Sequence, residues 1–201
     1  MYSVERLVLG ALATNCYLLW EDRHVLIIDP ASRSERIHAA IAARDGIVDG
    51  IVLTHGHFDH IAGVDVIAEM FHCDVYVHER DALLLRDPHL NLSESQNITV
   101  QHDVKYLGVG QQSIGSFTFD VIDAPGHSEG SVMLRWHENL ICGDVIFQGS
   151  IGRTDFYTSS NAHMTQTLRM VKTLDPDLRV YPGHGESTTI QQELLTNPFL
   201  R

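Results

Sequence analysis

The sequence predicts an α/β protein in which two similar layers of strands and helices pack together. Two features carry that expectation. Short apolar, β-branched runs closed by glycine, proline or aspartate recur along all 201 residues, and in each half of the chain several such runs give way to segments with helical apolar spacing. Composition agrees: 44% hydrophobic and 20% charged residues suit a soluble globular chain, read as one domain over residues 1–201 with no linker and no short-period repeat.

The elements follow in order. VERLVLG (4–10), NCYLLW (15–20) and HVLIIDP (24–30) read as strands, the third ended by Asp29-Pro30. SERIHAAIAARDG (34–46) reads as a helix, with Ser34 as cap, Ile37, Ala40 and Ile41 as the apolar stripe and Gly46 as the stop. GIVDGIVL (46–53) is expected as a fully buried strand of a sheet covered on both faces. After THGHFDH (54–60), helical spacing returns through Ile61, Val64, Ile67, Ala68 and Phe71. DVYVH (74–78) is a strand, ERDALLLRD (79–87) a short helix, and the polar stretch 87–103 a loop or flap. The second half begins again with strands in KYLGV (105–109), SFTFDVIDAPG (116–126), SVMLRW (131–136) and NLICGDV (139–145). A Gly/Ser/Thr-rich loop (148–161) then leads to the helix AHMTQTLRMVKTL (162–174), the strand DLRVYPG (177–183) and a terminal helix.

A net charge of −12 argues against nucleic acid and against anionic membrane surfaces, both of which reward basic patches. Cys16, Cys73 and Cys142 are odd in number and widely spaced, so neither a disulfide framework nor a zinc knuckle is indicated and a reducing cytoplasm is expected. The apolar stretch LVLGALATNCYLLW (7–20) is preceded by Glu5 and Arg6 and interrupted by Thr14 and Asn15, which suits two strands and a turn better than a signal peptide.

The chemistry concentrates in THGHFDH. His55 and His57, two apart, project to one side of an extended chain, while Asp59 and His60 stand where strand gives way to helix. Imidazole nitrogen and carboxylate oxygen are donors for zinc, with iron or manganese as other occupants. Three later positions repeat one pattern of strand, glycine and ligand: His127 in DAPGH, Asp144 in NLICGD and His184 in VYPGH. Each places a single donor at the carboxyl end of a strand, where loops converge. Cys142, two residues before Asp144, is read as a small buried residue.

Together HxHxDH at 55–60, PGH at 125–127, GD at 143–144 and PGH at 182–184 resemble the metallo-β-lactamase superfamily, in order and over nearly the whole chain. The resemblance implies a four-layer αββα sandwich with a dinuclear site at one edge. It assigns His55, His57 and His127 to a first ion, Asp59, His60 and His184 to a second, and Asp144 to both. TNCYLL (14–19), GRTDF (152–156) and the ending PGHGESTTIQQELLTNPFL resemble short glyoxalase II-type hydrolases. Full-length members continue into a helical region that holds glutathione; only seventeen residues follow His184 here, a departure that leaves the hydrolytic site expected and glutathione specificity open.

The expected reaction is hydrolysis of a small-molecule thioester such as S-lactoylglutathione. Two zinc ions sharing a water supply a nucleophile near neutral pH, and a thiolate with a pKa near ~8.5 leaves with little protonation. Asp59 and Asp144 are the catalytic carboxylates in that scheme. By the same resemblance Asp29 steadies a ligand loop, the other reading being a turn aspartate before proline; Arg153 and Asp155 either shape the pocket or pair across a turn, the structural role being favoured, and Tyr157 is a weaker pocket candidate. The alternative is a mononuclear iron dioxygenase acting on glutathione persulfide, which shares the fold and would use His55, His127 and Asp144 alone. Oligomeric state is left open.

Overall fold

A computed structural model of the protein describes residues 1–33 and 35–201. β1 (Tyr2–Leu9), β2 (Thr14–Glu21) and β3 (His24–Ile28) form an antiparallel meander. β4 (Ile47–Val52), β5 (Val75–Val77) and β6 (Val104–Tyr106) extend it in parallel into a six-stranded sheet ordered β1-β2-β3-β4-β5-β6. The second sheet contains β7 (Gly110–Ile114), β8 (Phe117–Asp123), β9 (Val132–Trp136), β10 (Asn139–Gly143), β13 (Arg179–Pro182) and β14 (Thr188–Thr189), in the order β14-β13-β10-β9-β8-β7. A hairpin of β11 (Ile146–Phe147) and β12 (Ser150–Ile151) stands apart from both. The helices are α1 (Glu35–Ala43), α2 (Phe58–Ile61), α3 (Val64–Phe71), α4 (Asn161–Val171) and α5 (Ile190–Thr196).

Period-two alternation along buried strands produces four layers. On β2 and β3, Cys16, Leu18, Trp20, Val25 and Ile27 face Ile37 and Ile41 of α1 and Val64, Ile67 and Ala68 of α3. Their neighbours Tyr17, Leu19, Leu26 and Ile28 face the other sheet, meeting Phe117, Phe119, Val121, Leu134 and Trp136. Met133, Leu140, Cys142 and Val180 turn outward against Met164, Leu168 and Val171 of α4 and Ile190 of α5. Each fully buried aliphatic side chain contributes about 1.5–3 kcal/mol, so both faces of both sheets are held by packing. The order is helix, sheet, sheet, helix, as the αββα expectation states.

Several local expectations change. KYLGV belongs to the first sheet, because β6 pairs with β5. Only the carboxyl half of β4 is buried, and Ile47 is 46% exposed. ERDALLLRD keeps one 3-10 turn, Glu79–Asp81. The segment after THGHFDH divides into α2 and α3 at Ala62–Gly63. At the end of α1, Asp45 takes the left-handed conformation (φ 48°); Gly46 is required instead by Trp20, whose ring atom would lie 2.9 Å from an added Cβ. The Ser34 cap falls outside the described residues. Strands β7, β11, β12 and β14 were not anticipated. Among the described residues no helix is long and apolar enough to cross a membrane.

The topology also builds an edge. β3 and β4 run parallel, as do β10 and β13, while β8 shares the direction of β10 through the antiparallel β9. The carboxyl ends of strands from both sheets therefore open together. Backbone hydrogen bonds join the sheets there: Val132 N–H donates to Thr54 O at 2.9 Å and Asn15 N–H to Gly183 O at 2.7 Å.

Candidate metal centre

All seven donor-type side chains named from the sequence lie at this edge. His55 and His57 leave the end of β4, Asp59 and His60 occupy the first turn of α2, and His127, Asp144 and His184 follow β8, β10 and β13. Two sets each bring their donor atoms within 4.8 Å of one another: His55, His57 and His127, and Asp59, His60 and His184. Asp144 stands between the sets, with Oδ2 3.4 Å from His127 Nε2 and 3.6 Å from His184 Nε2, and Oδ1 3.4 Å from His60 Nε2. A further grouping of Asp29, His55 and His60 is not an independent centre, because the Asp29 carboxylate is already engaged by hydrogen bonds.

Outer partners aim the rings. His60 Nδ1 donates to Asp29 Oδ2 at 2.8 Å, His127 Nδ1 to the carbonyl of Arg153 at 2.9 Å and His184 Nδ1 to the carbonyl of Leu12 at 3.2 Å. His55 Nδ1 lies 3.1 Å from Thr54 Oγ1, which itself donates to Asp29 Oδ2 at 2.6 Å. With Nδ1 engaged outward, each of these four histidines presents Nε2 to the centre. His57 is reversed: its Nδ1 faces His127 Nε2 at 2.9 Å. Asp29 also accepts from Thr54 N–H at 2.8 Å, so one buried carboxylate at the end of β3 ties the start of the ligand loop to His60.

The electrostatics suit cation binding. Burial, then the neighbouring His60, His57, His127 and His184, hold His55 well below the usual imidazole range. Burial and His127 push His57 down to about 3. Burial would raise Asp59 and Asp144, but His60 and His184 outweigh it and keep both carboxyls below their ordinary value. Burial would likewise lower His60, yet Asp59, Asp144 and Asp29 hold it well above its ordinary value. His184 is raised by Asp59 and Asp144 against its own burial. The lowered His55 and His57 thus belong to one set, and Asp59 with the raised His60 and His184 to the other. Among the described residues, His55 Nε2, His60 Nε2 and Asp144 Oδ1 are buried at the centre without any hydrogen-bond partner, a costly arrangement for protein atoms alone and the donor chemistry a divalent ion requires. The residues fit the metal.

Close approach accounts for two glycines. A Cβ on Gly183 would lie 2.1 Å from Asp144 Oδ1 and 2.7 Å from His60 Cε1. Gly143 adopts φ 49°, and a Cβ there would meet Thr54 Oγ1 at 2.4 Å. The left-handed turn at Gly143 also breaks strand alternation. Cys142 therefore points away from the cleft into the α4 core, where its thiol donates to Ile146 O at 3.2 Å.

A cavity of about 440 Å³ leads to the centre, walled by Leu12, Phe58, Leu92, Phe147, Ile151, Arg153 and Phe156 beside the donor groups. Arg153 lines it while paired with the exposed Asp155. Tyr157 is 84% exposed and outside the wall; the aromatic ring that lines the cavity is Phe156. Sequence reasoning missed two supports. Thr14 Oγ1 donates to Asp59 Oδ2 at 2.7 Å. Asp81, fully buried, accepts from Gly56 N–H at 2.9 Å, Gly130 N–H at 2.6 Å and Ser128 Oγ at 2.6 Å. It thereby joins the loop of His55 and His57 to the loop of His127. Burial raises its carboxyl, against the lowering effect of those donors.

Fold and centre together define a metallohydrolase architecture, and the chain belongs to the metallo-beta-lactamase superfamily, whose model matches residues 9–184. A probable metallo-hydrolase of Streptococcus pyogenes serotype M6 is 37% identical over 196 residues, covering 92% of this chain and 84% of that protein. The hydroxyacylglutathione hydrolase GloC of Haemophilus influenzae is 31% identical, covering 98% of each chain. Among solved structures, the BLEG-1 B3 metallo-beta-lactamase superposes with a TM-score of 0.94 at 36% identity, covering 98% of this chain and 99% of that one. TTHA1623 in a di-iron-bound form gives 0.89 at 32% identity, covering 98% and 100%.

Proposed function

We propose that this metallohydrolase holds two divalent ions, zinc foremost with iron or manganese as alternatives, and hydrolyses a small-molecule thioester such as S-lactoylglutathione. The observation that carries the reading is the pair of three-residue donor sets with Asp144 between them. In it, His55, His57 and His127 would hold one ion, Asp59, His60 and His184 would hold the other, and Asp144 would serve both. The likeness to a hydroxyacylglutathione hydrolase supports the thioester, and the di-iron form of one neighbour supports two ions while admitting iron.

Ions bound there supply Lewis acidity and a water whose pKa is brought near neutrality. The chain supplies the rest. Asp59 and Asp144, held below the usual carboxylate range, stay acceptors at working pH and orient the attacking water by hydrogen bonds. Phe58, Phe147 and Phe156 keep bulk water from the reacting carbonyl, which strengthens every charge interaction within the cleft. The departing thiolate needs little protonation, so a dedicated acid is not required.

The test is metal content per chain, by mass spectrometry on protein purified without chelator, followed by turnover of lactoylglutathione, other acyl thioesters and a β-lactam. Two zincs with thioester turnover is the expected result. One iron with oxygen uptake on glutathione persulfide would establish the dioxygenase instead, and β-lactam turnover alone would replace the substrate.

A further inference from the structure

Resting on the hydrolase reading, we infer that the cleft takes acyl thioesters with an uncharged, apolar thiol arm in preference to anionic glutathione conjugates. The glutathione arm carries two carboxylates and one ammonium, and its recognition calls for cations near the rim. The wall outside the donor groups is instead Leu12, Phe58, Leu92, Phe147, Ile151 and Phe156, with Arg153 as its single cationic member. That guanidinium is occupied: Nε and Nη2 donate to the two oxygens of Asp155 at 2.9 and 2.8 Å, and its carbon lies 4.3 Å over the Phe156 ring. A bidentate fork already filled by one carboxylate offers little to a second.

Outside the wall, a second cationic side chain near Tyr157 has the same fate. His89, whose ring lies 6.2 Å from that of Tyr157, pairs with Glu94. Around both pairs the protein carries a net charge of −12, a field that disfavours anionic ligands at low ionic strength. An arriving carboxylate must therefore compete with an acid at either cation. An alkyl or aryl arm meets three phenylalanine rings, and each methylene it buries strengthens binding about fourfold.

Calorimetry on the zinc-loaded full chain tests this without turnover, by comparing S-hexylglutathione with its analogue in which both carboxylates are amidated. The amidated thioether is expected to bind more tightly, with the difference shrinking as salt is raised. Asp155→Asn, which frees the Arg153 guanidinium, is expected to narrow the difference by about two- to fivefold, the size of an exposed ion pair. Tighter binding of the free acid, or a preference unmoved by Asp155→Asn, overturns the inference. In the companion assay, lactoyl thioesters of benzyl mercaptan and glutathione are compared, and the benzyl ester is expected to show the higher kcat/KM. If the thioethers bind in the expected order while neither ester is hydrolysed, the hydrolase reading fails and the selectivity of the cleft stands.

Discussion

Replacing Asp81 tests how far the centre depends on a residue that touches none of its donor atoms. Asp81→Ala removes the acceptor for Gly56 N–H, Gly130 N–H and Ser128 Oγ. Ser128 retains Ser131 Oγ at 2.7 Å, so two buried backbone donors are left unpaired. At about 1–3 kcal/mol each, the loss is ~2–6 kcal/mol. Asp81→Asn keeps one oxygen but turns an amide N–H₂ toward one of those donors, for a loss of about 1–3 kcal/mol. Because Gly56 lies between His55 and His57, and Ser128 follows His127, both changes let the two loops part. Zinc affinity should then fall about 10- to 100-fold, as for other partners that orient ligands. Urea unfolding of metal-free protein measures the first effect and competition with a chromophoric chelator the second. If Asp81→Asn unfolds within about 0.5 kcal/mol of the parent and binds zinc equally well, Asp81 does not position the centre.

Gly183→Ala forces a methyl group against Asp144 Oδ1 and should destabilise the protein by about 1–3 kcal/mol while lowering the metal count, read by mass spectrometry; an unchanged count refutes the steric argument. Thr14→Val leaves Asp59 without its hydroxyl donor and should weaken one ion selectively, seen as biphasic zinc release where the parent shows one phase. In metal-free protein, the raised His60 and His184 contribute stability that is complete below the unfolded imidazole value of about 6.5 and is lost as pH rises through their folded values. Zinc must displace those protons, so the gain in melting temperature on adding zinc should grow as pH rises above about 6.5; a gain that shrinks with pH contradicts the directions given for both groups.

The strand-end donors were legible because their signals are local. A donor after a Pro-Gly turn or a Gly step closes an apolar run, and the continuous apolar runs of β2, β3 and β10 mark strands covered on both faces. Other features are settled by pairing across long stretches of chain. KYLGV carries nothing that distinguishes the first sheet from the second, and strands of two residues such as β11 and β14 are too short for any period. Asp81 sits in ERD, where an acid at the start of a helical turn reads as a solvated cap; only the loop 126–131, folded over it, makes it an interior acceptor. Tyr157 follows the GRTDF segment closely enough to suggest the cavity, yet one step of the chain carries it into solvent and leaves Phe156 inside.

The donors come from both halves of the chain: two from the loop after β4, two from the first turn of α2, and one each after β8, β10 and β13. During synthesis, the nascent polypeptide exposes His55 to His60 long before His184 leaves the ribosome. A cation loaded early would meet half a cage and escape readily. A cation held by either donor set therefore needs both halves of the chain folded together, and in holding them it would act as a staple between the first half and the second.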